Sequence, residues 1–397
     1  MSLPQYPLAS TTWGPEEVSA MQEVITSGKY TMGERVKEFE NKFAEFLGTK
    51  HAVMVNSGSS ANLAMLTAAR FLQKPLLSPG DEVIVPAVSW STTFYPVNQV
   101  GCKLSFVDID LESLNIDPEK VLKAITPKTK AILAVNLLGN PCDLEELQKI
   151  AHDNDLVLFE DNCESLGATL EGKALGTFGK GGTYSTFFSH HISTMEGGLI
   201  STDDEEFYQV LKSIRAHGWT RDLPQENLVF NKVGKDWEDA FRFVLPGYNL
   251  RPLEIEAAIG LEQINKLSKF IDVRKSNAII FKTMMAEFPE IQIQIERGES
   301  SWFAFSMVLK GSLRGNRDSL VRILSDFNIE SRPVVAGNFT RNPVIKHLDC
   351  RDLPDLNSAN EVHDNGLFVG NHHFQLDEEI ALLQIALTRF VREAKLK

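Results

Sequence analysis

At 397 residues, with 43% hydrophobic and 23% charged side chains, the chain is long enough for one large domain with a smaller one, or for two comparable domains. Its 53 acidic against 40 basic residues leave a net charge of −13, which argues against nucleic acid or an anionic membrane as a partner while allowing a local basic pocket. The four scattered cysteines Cys102, Cys142, Cys163 and Cys350 form no C-x-x-C or C-x-C pair, "MSLPQYPLAS" lacks a signal-peptide pattern, and no run nears the ~18 apolar residues of a membrane helix, so a cytoplasmic protein without a metal site is expected.

Short apolar runs alternate with helical patterns through the first two thirds of the chain. "HAVMV", "DEVIVP", "KLSFVDID", "KAILAVNLLG", "LVLFED", "GTYSTFF" and "GGLIST" read as buried strands bounded by Gly, Asp or Asn. Between several of them lie helices such as "SSANLAMLTAARFLQ" and "DLEELQKIAHDND", the second opening on Asp143 as N-cap. This alternation predicts a mostly parallel sheet with helices on both faces. The segment "TRDLPQENLVFNKVGKDWEDAF" has no clear period and reads as a surface excursion. A long helix follows over "PLEIEAAIGLEQINKLSKFIDVRKSNAIIFKTMMAEF", then "SWFAFSMVL", a compact helix "NRDSLVRILSDFN" and a helical C-terminus. The predicted division is a large α/β domain over 1–254 and a smaller α+β domain over 255–397.

Ligands of parallel sheets bind beyond the carboxyl ends of the strands, so the residues just after each run carry the candidate chemistry. In "VNSGSSANLAML" a strand gives way to Gly58, Ser59 and a helix; this is either an anion cradle or an ordinary helix cap. Asp161 closes "LVLFED", where a carboxylate either holds a cationic ring nitrogen or caps the next turn, and Glu164 faces a similar space. Trp90 in "AVSWSTTFYP" either stacks on a flat ring or packs in the core. In "TYSTFFSHHIS", Ser185 stands five residues before His190.

Taken together and in this order, these motifs resemble the pyridoxal-phosphate-dependent sugar aminotransferase family of fold type I, the aspartate aminotransferase-like fold. The similarity runs from "SGKYTMGERVKEFENKFAEFLG" to "GYNLRPLEIEAAIGLEQINKL". The resemblance implies pyridoxal 5′-phosphate or pyridoxamine 5′-phosphate as cofactor, with Gly58, Ser59 and Ser185 on its phosphate. It also implies Trp90 against the ring, Asp161 on the ring nitrogen and Glu164, in place of the family's Gln, near the ring hydroxyl. Asn249 in "GYNLR" matches a position that family members give to the neighbouring subunit, which implies a homodimer with its active site at the interface. His217 in "RAHGW" and Arg251 are either substrate contacts or structural.

The departure from the family is a missing lysine. His190 occupies its place, and no lysine occurs between Lys180 and Lys212; Lys180, in a Gly-rich turn, reads as a surface residue. A lysine there forms a Schiff base with the cofactor and shuttles a proton at C4′. Imidazole cannot do the first, but with an ordinary pKa of about 6.5 it does the second well. The expectation is a reaction other than amino transfer. "AVSWSTTFYP", "VNLLGNP", "EDNCES", "SHHIS", "RAHGWTR" and "NGLFVGNH" resemble the branch of the family that removes the C3 hydroxyl of GDP-4-keto-6-deoxymannose. That resemblance implies a GDP-sugar substrate, L-glutamate as amino donor, and release of ammonia and a 3,6-dideoxy-4-keto sugar. The alternatives are a nucleotide-sugar aminotransferase using another lysine and a non-catalytic cofactor-binding protein. An iron–sulfur relative would need the clustered cysteines this chain lacks. His191 reads as orienting its neighbour or as packing.

Overall fold

The computed structural model describes residues 6–396. The central sheet contains β1 (His51–Val55), β2 (Glu82–Pro86), β3 (Lys103–Val107), β4 (Thr129–Val135) and β5 (Val157–Asp161). After a separate hairpin of β6 (Thr169–Leu170) and β7 (Lys173–Ala174), it gains β8 (Gly181–Ser185) and β9 (Gly198–Thr202). The order is β1-β9-β8-β5-β4-β2-β3. From β3 to β8 every pairing is parallel, and β9 alone runs against its two neighbours, β8 and β1. The carboxyl ends of β1, β2, β4, β5 and β8 therefore share one edge, where β9 begins.

Both faces of the sheet are covered, which is why its strands read as unbroken apolar runs. Alternate residues serve opposite faces. Val83 and Val85 pack with the residues of α3 (Gly58–Ala68), α4 (Ser91–Gln99) and α7 (Glu205–Arg215). Ile84 packs with Leu147 and Ile150 of α6 (Leu144–Asp153), whose N-cap Asp143 accepts the Glu146 N–H as expected. Beyond β9, Phe39 and Phe43 of α2 (Glu34–Leu47) close the core with the first half of α9 (Glu254–Met285).

α9 is one continuous helix of 32 residues that enters two cores. Leu261 and Leu267 pack with Phe39, whereas Ala278, Phe281 and Met285 join the C-terminal core. There, β10 (Ile291–Gln292), β11 (Ala304–Leu309) and β12 (Gly366–Gly370) form an antiparallel sheet, with α10 (Arg317–Asp326) and α12 (Asp377–Ala394) packed against it. The segment 220–241 is irregular apart from a short helix, Asp236–Ala240. The run "KAILAVNLLG" is shorter as a strand than its apolarity suggests. The strand stops at Val135, and Leu138 turns at φ 54°, carrying its N–H away from the sheet toward Glu164.

Candidate active site

The N-terminus of α3 is pressed against the ends of β8 and β9. A Cβ on Gly58 would lie 2.7 Å from Ser185 Cβ and 2.9 Å from Cys163 Sγ, so only glycine fits. Ser57 is the cap, its Oγ accepting the Ser60 N–H at 3.1 Å. Capping therefore does not use the Gly58 and Ser59 amides, which open the first turn where anions bind. Ser59 Oγ donates to Thr92 Oγ1 at 2.9 Å, and Ser185 Oγ accepts the Phe187 N–H at 3.3 Å.

Asp161, 4% exposed, accepts three hydrogen bonds. Asn62 Nδ2 and Thr93 Oγ1 donate to Oδ2, each at 2.8 Å, and the Cys163 N–H donates to Oδ1 at 3.1 Å. No cation among the described residues pairs with it. A buried carboxylate that is fully oriented yet lacks a counter-charge suits a cationic ligand. Trp90, at the N-cap position just before α4, is 59% exposed, so core packing does not account for it. Glu164 accepts the Leu138 N–H at 3.0 Å. Burial pushes its carboxyl up to about 7; the Leu138 bond opposes the rise and the Asp161 charge adds to it.

After β8 the chain turns, with the His190 N–H donating to the Phe187 carbonyl at 2.9 Å. The His190 ring lies 5.4 Å from that of Phe303, and its Nδ1 is buried without a hydrogen-bond partner. Burial pushes His190 down to about 4, a hydrogen bond with the Phe187 backbone opposing the fall and the Arg274 charge adding to it, so the imidazole is neutral at neutral pH. The His191 ring also packs against Phe303, at 5.6 Å. His191 is 1% exposed, and its Nε2 bonds the Ser301 carbonyl at 3.2 Å. Two further side chains hold this loop at Ser193: Trp13 Nε1 donates to its carbonyl at 3.0 Å, and its N–H donates to Gln263 Oε1 at 3.1 Å.

The N-terminus of α3, Trp90, Asp161, Glu164, Ser185 and His190 line one cavity of about 390 Å³ between the sheet edge and the β11–β12 region. Among the described residues no lysine lines it, and Lys180 pairs with Asp204 elsewhere. An anion cradle, an unpaired carboxylate, an exposed indole and an orphaned imidazole together fit a flat phosphate ester with a cationic ring, and the volume falls in the range of cofactor sites.

The chain matches the DegT/DnrJ/EryC1/StrS aminotransferase family over residues 12–382. It belongs to that family. The GDP-4-keto-6-deoxy-D-mannose 3-dehydratase of Yersinia pseudotuberculosis is 54% identical over 377 residues, covering 94% of this chain and 96% of that protein. The structure of E. coli GDP-4-keto-6-deoxy-D-mannose-3-dehydratase with bound hydrated PLP matches with a TM-score of 0.95 at 52% identity, over 97% of this chain and 100% of that one. A structure of GDP-4-keto-6-deoxymannose-3-dehydratase with a trapped PLP–glutamate geminal diamine matches with a TM-score of 0.94 at 52% identity, over 96% and 100%. The aspartate aminotransferase-like fold expected from the sequence is the fold of the DegT/DnrJ/EryC1/StrS enzyme described above.

Of the residues singled out in the sequence, Gly58, Ser59, Trp90, Asp161, Glu164, Ser185 and His190 meet in this cavity. Asn249, Arg251 and His217 do not line it. Arg251 Nε donates to Asn249 Oδ1 at 3.0 Å, and both Arg251 and His217 lie against Trp219. Asn62, Thr93, Arg274, Phe303, Arg332 and His372 also line the cavity, and none of them was assigned a role from the sequence, although the motif "NGLFVGNH" ends on His372. A signal existed for the last: "GNHHF" repeats the paired histidines of "SHHIS", and His372 bonds Ser10 Oγ at 2.9 Å and the Pro7 carbonyl at 2.8 Å. Arg274 gives no local signal, because on a helix an arginine ordinarily reads as solvent-facing.

Proposed function

We propose that this family member is a 3-dehydratase of GDP-4-keto-6-deoxy-D-mannose that uses pyridoxal and pyridoxamine phosphate, with L-glutamate as amino donor and ammonia and a GDP-bound 3,6-dideoxy-4-keto sugar as products. The observation that carries this reading is the neutral His190, its buried Nδ1 without a partner, in a cavity that no lysine among the described residues lines. The similarity to 3-dehydratases of that sugar nucleotide supports it.

When bound, pyridoxamine phosphate would supply an amine for the sugar's C4 ketone and the electron pair of its C4′–H bond, which passes into the sugar as the C3 hydroxyl leaves. The Gly58 and Ser59 amides and Ser185 bind the phosphate. Asp161 holds the proton on the ring nitrogen, and Asn62 and Thr93 keep its carboxylate in place. Trp90 covers one ring face, and Glu164, protonated below about 7, donates toward the ring oxygen. His190 accepts the proton from the C4′ carbon and passes it to the C3 oxygen, which departs as water. A low proton affinity makes the imidazolium a strong donor for that second transfer. No lysine is at hand to displace the product from the cofactor, so water must do so.

The reading takes the enzyme as a cytoplasmic homodimer in which Asn249 reaches the neighbouring site. Asn249 is exposed and lies off its own cavity, and Phe187, Phe188 and Met195 beside the site expose apolar surface. No described helix is long and apolar enough to cross a membrane. The test is incubation with the keto sugar nucleotide, pyridoxal phosphate and glutamate. Ammonia and 2-oxoglutarate should appear together with the dideoxy sugar. Formation of an amino sugar, or a lysine–cofactor adduct after borohydride reduction, would overturn the reading.

A further inference from the structure

Arg274, on α9, is 4% exposed and lines the cavity. Its Nη1 donates to the Phe303 carbonyl at 3.1 Å and the Asn371 carbonyl at 2.6 Å, whereas its buried Nε has no partner. Among the described residues no carboxylate pairs with it. Burial lowers its pKa to about 10 and no acid counteracts the shift, yet the group stays charged at neutral pH. An unpaired buried guanidinium is costly to maintain, and here it faces a cavity. A second cation stands on the same wall. Arg332 is exposed, lines the cavity and is without an acidic partner among the described residues. Its backbone pairs with Phe368 through bonds of 3.1 and 2.8 Å. Phe368 precedes Asn371, the anchor of Arg274, by three residues, about 10 Å along an extended chain. The two side chains can thus serve a deep and an outer position of one small ligand.

We propose that Arg274 and Arg332 form a dicarboxylate subsite that receives the amino donor. This rests on the reading that an amino acid enters this cavity. Guanidinium binds carboxylate with paired hydrogen bonds. The acids facing the cavity, Asp161, Glu164 and Glu196, are not bonded to either arginine. The near-complete burial of Arg274 favours a small acid over the diphosphate of a nucleotide, the other oxyanion available to the enzyme. A carboxylate seated there also neutralises the charge that acts, beside burial, to hold down His190, His191, His372 and His373. Arrival of the donor thereby strengthens His190 as a base.

Calorimetric titration of the cofactor-loaded protein with glutarate, which has two carboxylates and no amine, tests the subsite, with GDP as the second arm. Arg274→Lys should weaken glutarate by about ten-fold or more and Arg332→Gln by about three-fold, with GDP affinity unchanged. If Arg274→Lys fails to fold, as judged by circular dichroism, the exposed Arg332→Gln decides alone. Absence of glutarate binding to the parent protein, or equal affinity in the variants, overturns the subsite. Loss of GDP affinity in place of glutarate assigns the arginines to the diphosphate and overturns it equally. A protein that shows the expected shifts but forms no dideoxy sugar keeps the subsite and loses the dehydratase reading.

Discussion

On the sheet side of the cavity, Asp161 accepts three hydrogen bonds, Asn62 both donates to it and accepts from Thr183, and Ser57 caps its helix. On the facing side, His190 Nδ1 and Arg274 Nε are buried without partners. The contrast follows from where the residues sit. The first group stands on strand ends and first helical turns, where backbone and neighbours fix each side chain. The second comes from a turn and from elements of the C-terminal core, and its unused nitrogens are left for ligands. A wall whose side chains are tied to one another holds a cofactor in one orientation. A wall with open positions binds what changes during turnover.

His190→Asn is the strongest way to break this division. Loss of a positioned acid–base group costs about 10²–10⁴-fold in rate, so ammonia release should fall by that order. The sheet-side groups are untouched, so the affinity for pyridoxal phosphate, followed by absorbance titration, should hold. A parallel loss of cofactor affinity would show that the two walls are not separable. The same variant tests whether the chain works as the proposed dimer. Mixed with Asn249→Ala chains and allowed to exchange subunits, it should regain activity, because one hybrid site then carries both native residues.

Much of the sheet side was legible in the sequence, and little of the facing side was. Strands buried on both faces leave continuous apolar runs, and the sheet rule points to the residues just after them, which is how Asp161 and Trp90 stood out. Whether "SGSS" caps a helix or receives an anion could not be read from composition, since the two uses need the same residues. It took the geometry to show that Ser57 alone does the capping. The facing side depends on long-range packing. Ser10 meets His372 across 362 residues, and Arg274 is buried only because Phe303 and Asn371 close over α9. The overlong strand "KAILAVNLLG" failed for a related reason, since Leu138 turns out of the sheet to reach a carboxylate 26 residues on.

The walls should also respond to pH with opposite sign. In the cofactor-free protein Glu164 is raised from 4.5 to about 7, so the folded chain retains a proton that the unfolded chain releases. Its stabilising contribution is full below about 4.5 and is lost as pH rises through about 7. His190 is lowered from 6.5 to about 4 and works the other way, adding stability as pH rises through that window. Glu164→Gln keeps a neutral side chain at every pH. Its melting temperature relative to the parent should therefore climb between about pH 4.5 and pH 7, by an amount worth up to roughly 3 kcal/mol. A constant difference across that range would mean that Glu164 is ionised like a surface carboxylate.

A smaller effect is expected where the two walls are tied together. The loop that carries His190 leaves the sheet at β8 and returns at β9, and Ser193 within it is held by Trp13 and Gln263. A lysine bonded to its cofactor is positioned by that bond; an imidazole is positioned only by its loop. Trp13→Phe keeps an aromatic six-membered ring but removes the N–H donor together with the pyrrole half of the indole; the lost hydrogen bond alone is worth about 1 kcal/mol, which corresponds to roughly five-fold in rate if it falls on the geometry of the proton transfer. It should lower kcat for the sugar and leave KM and the melting temperature nearly unchanged. A loss confined to melting temperature would make Trp13 a packing residue and leave the orientation of His190 to the Phe187 turn and the His191–Ser301 bond.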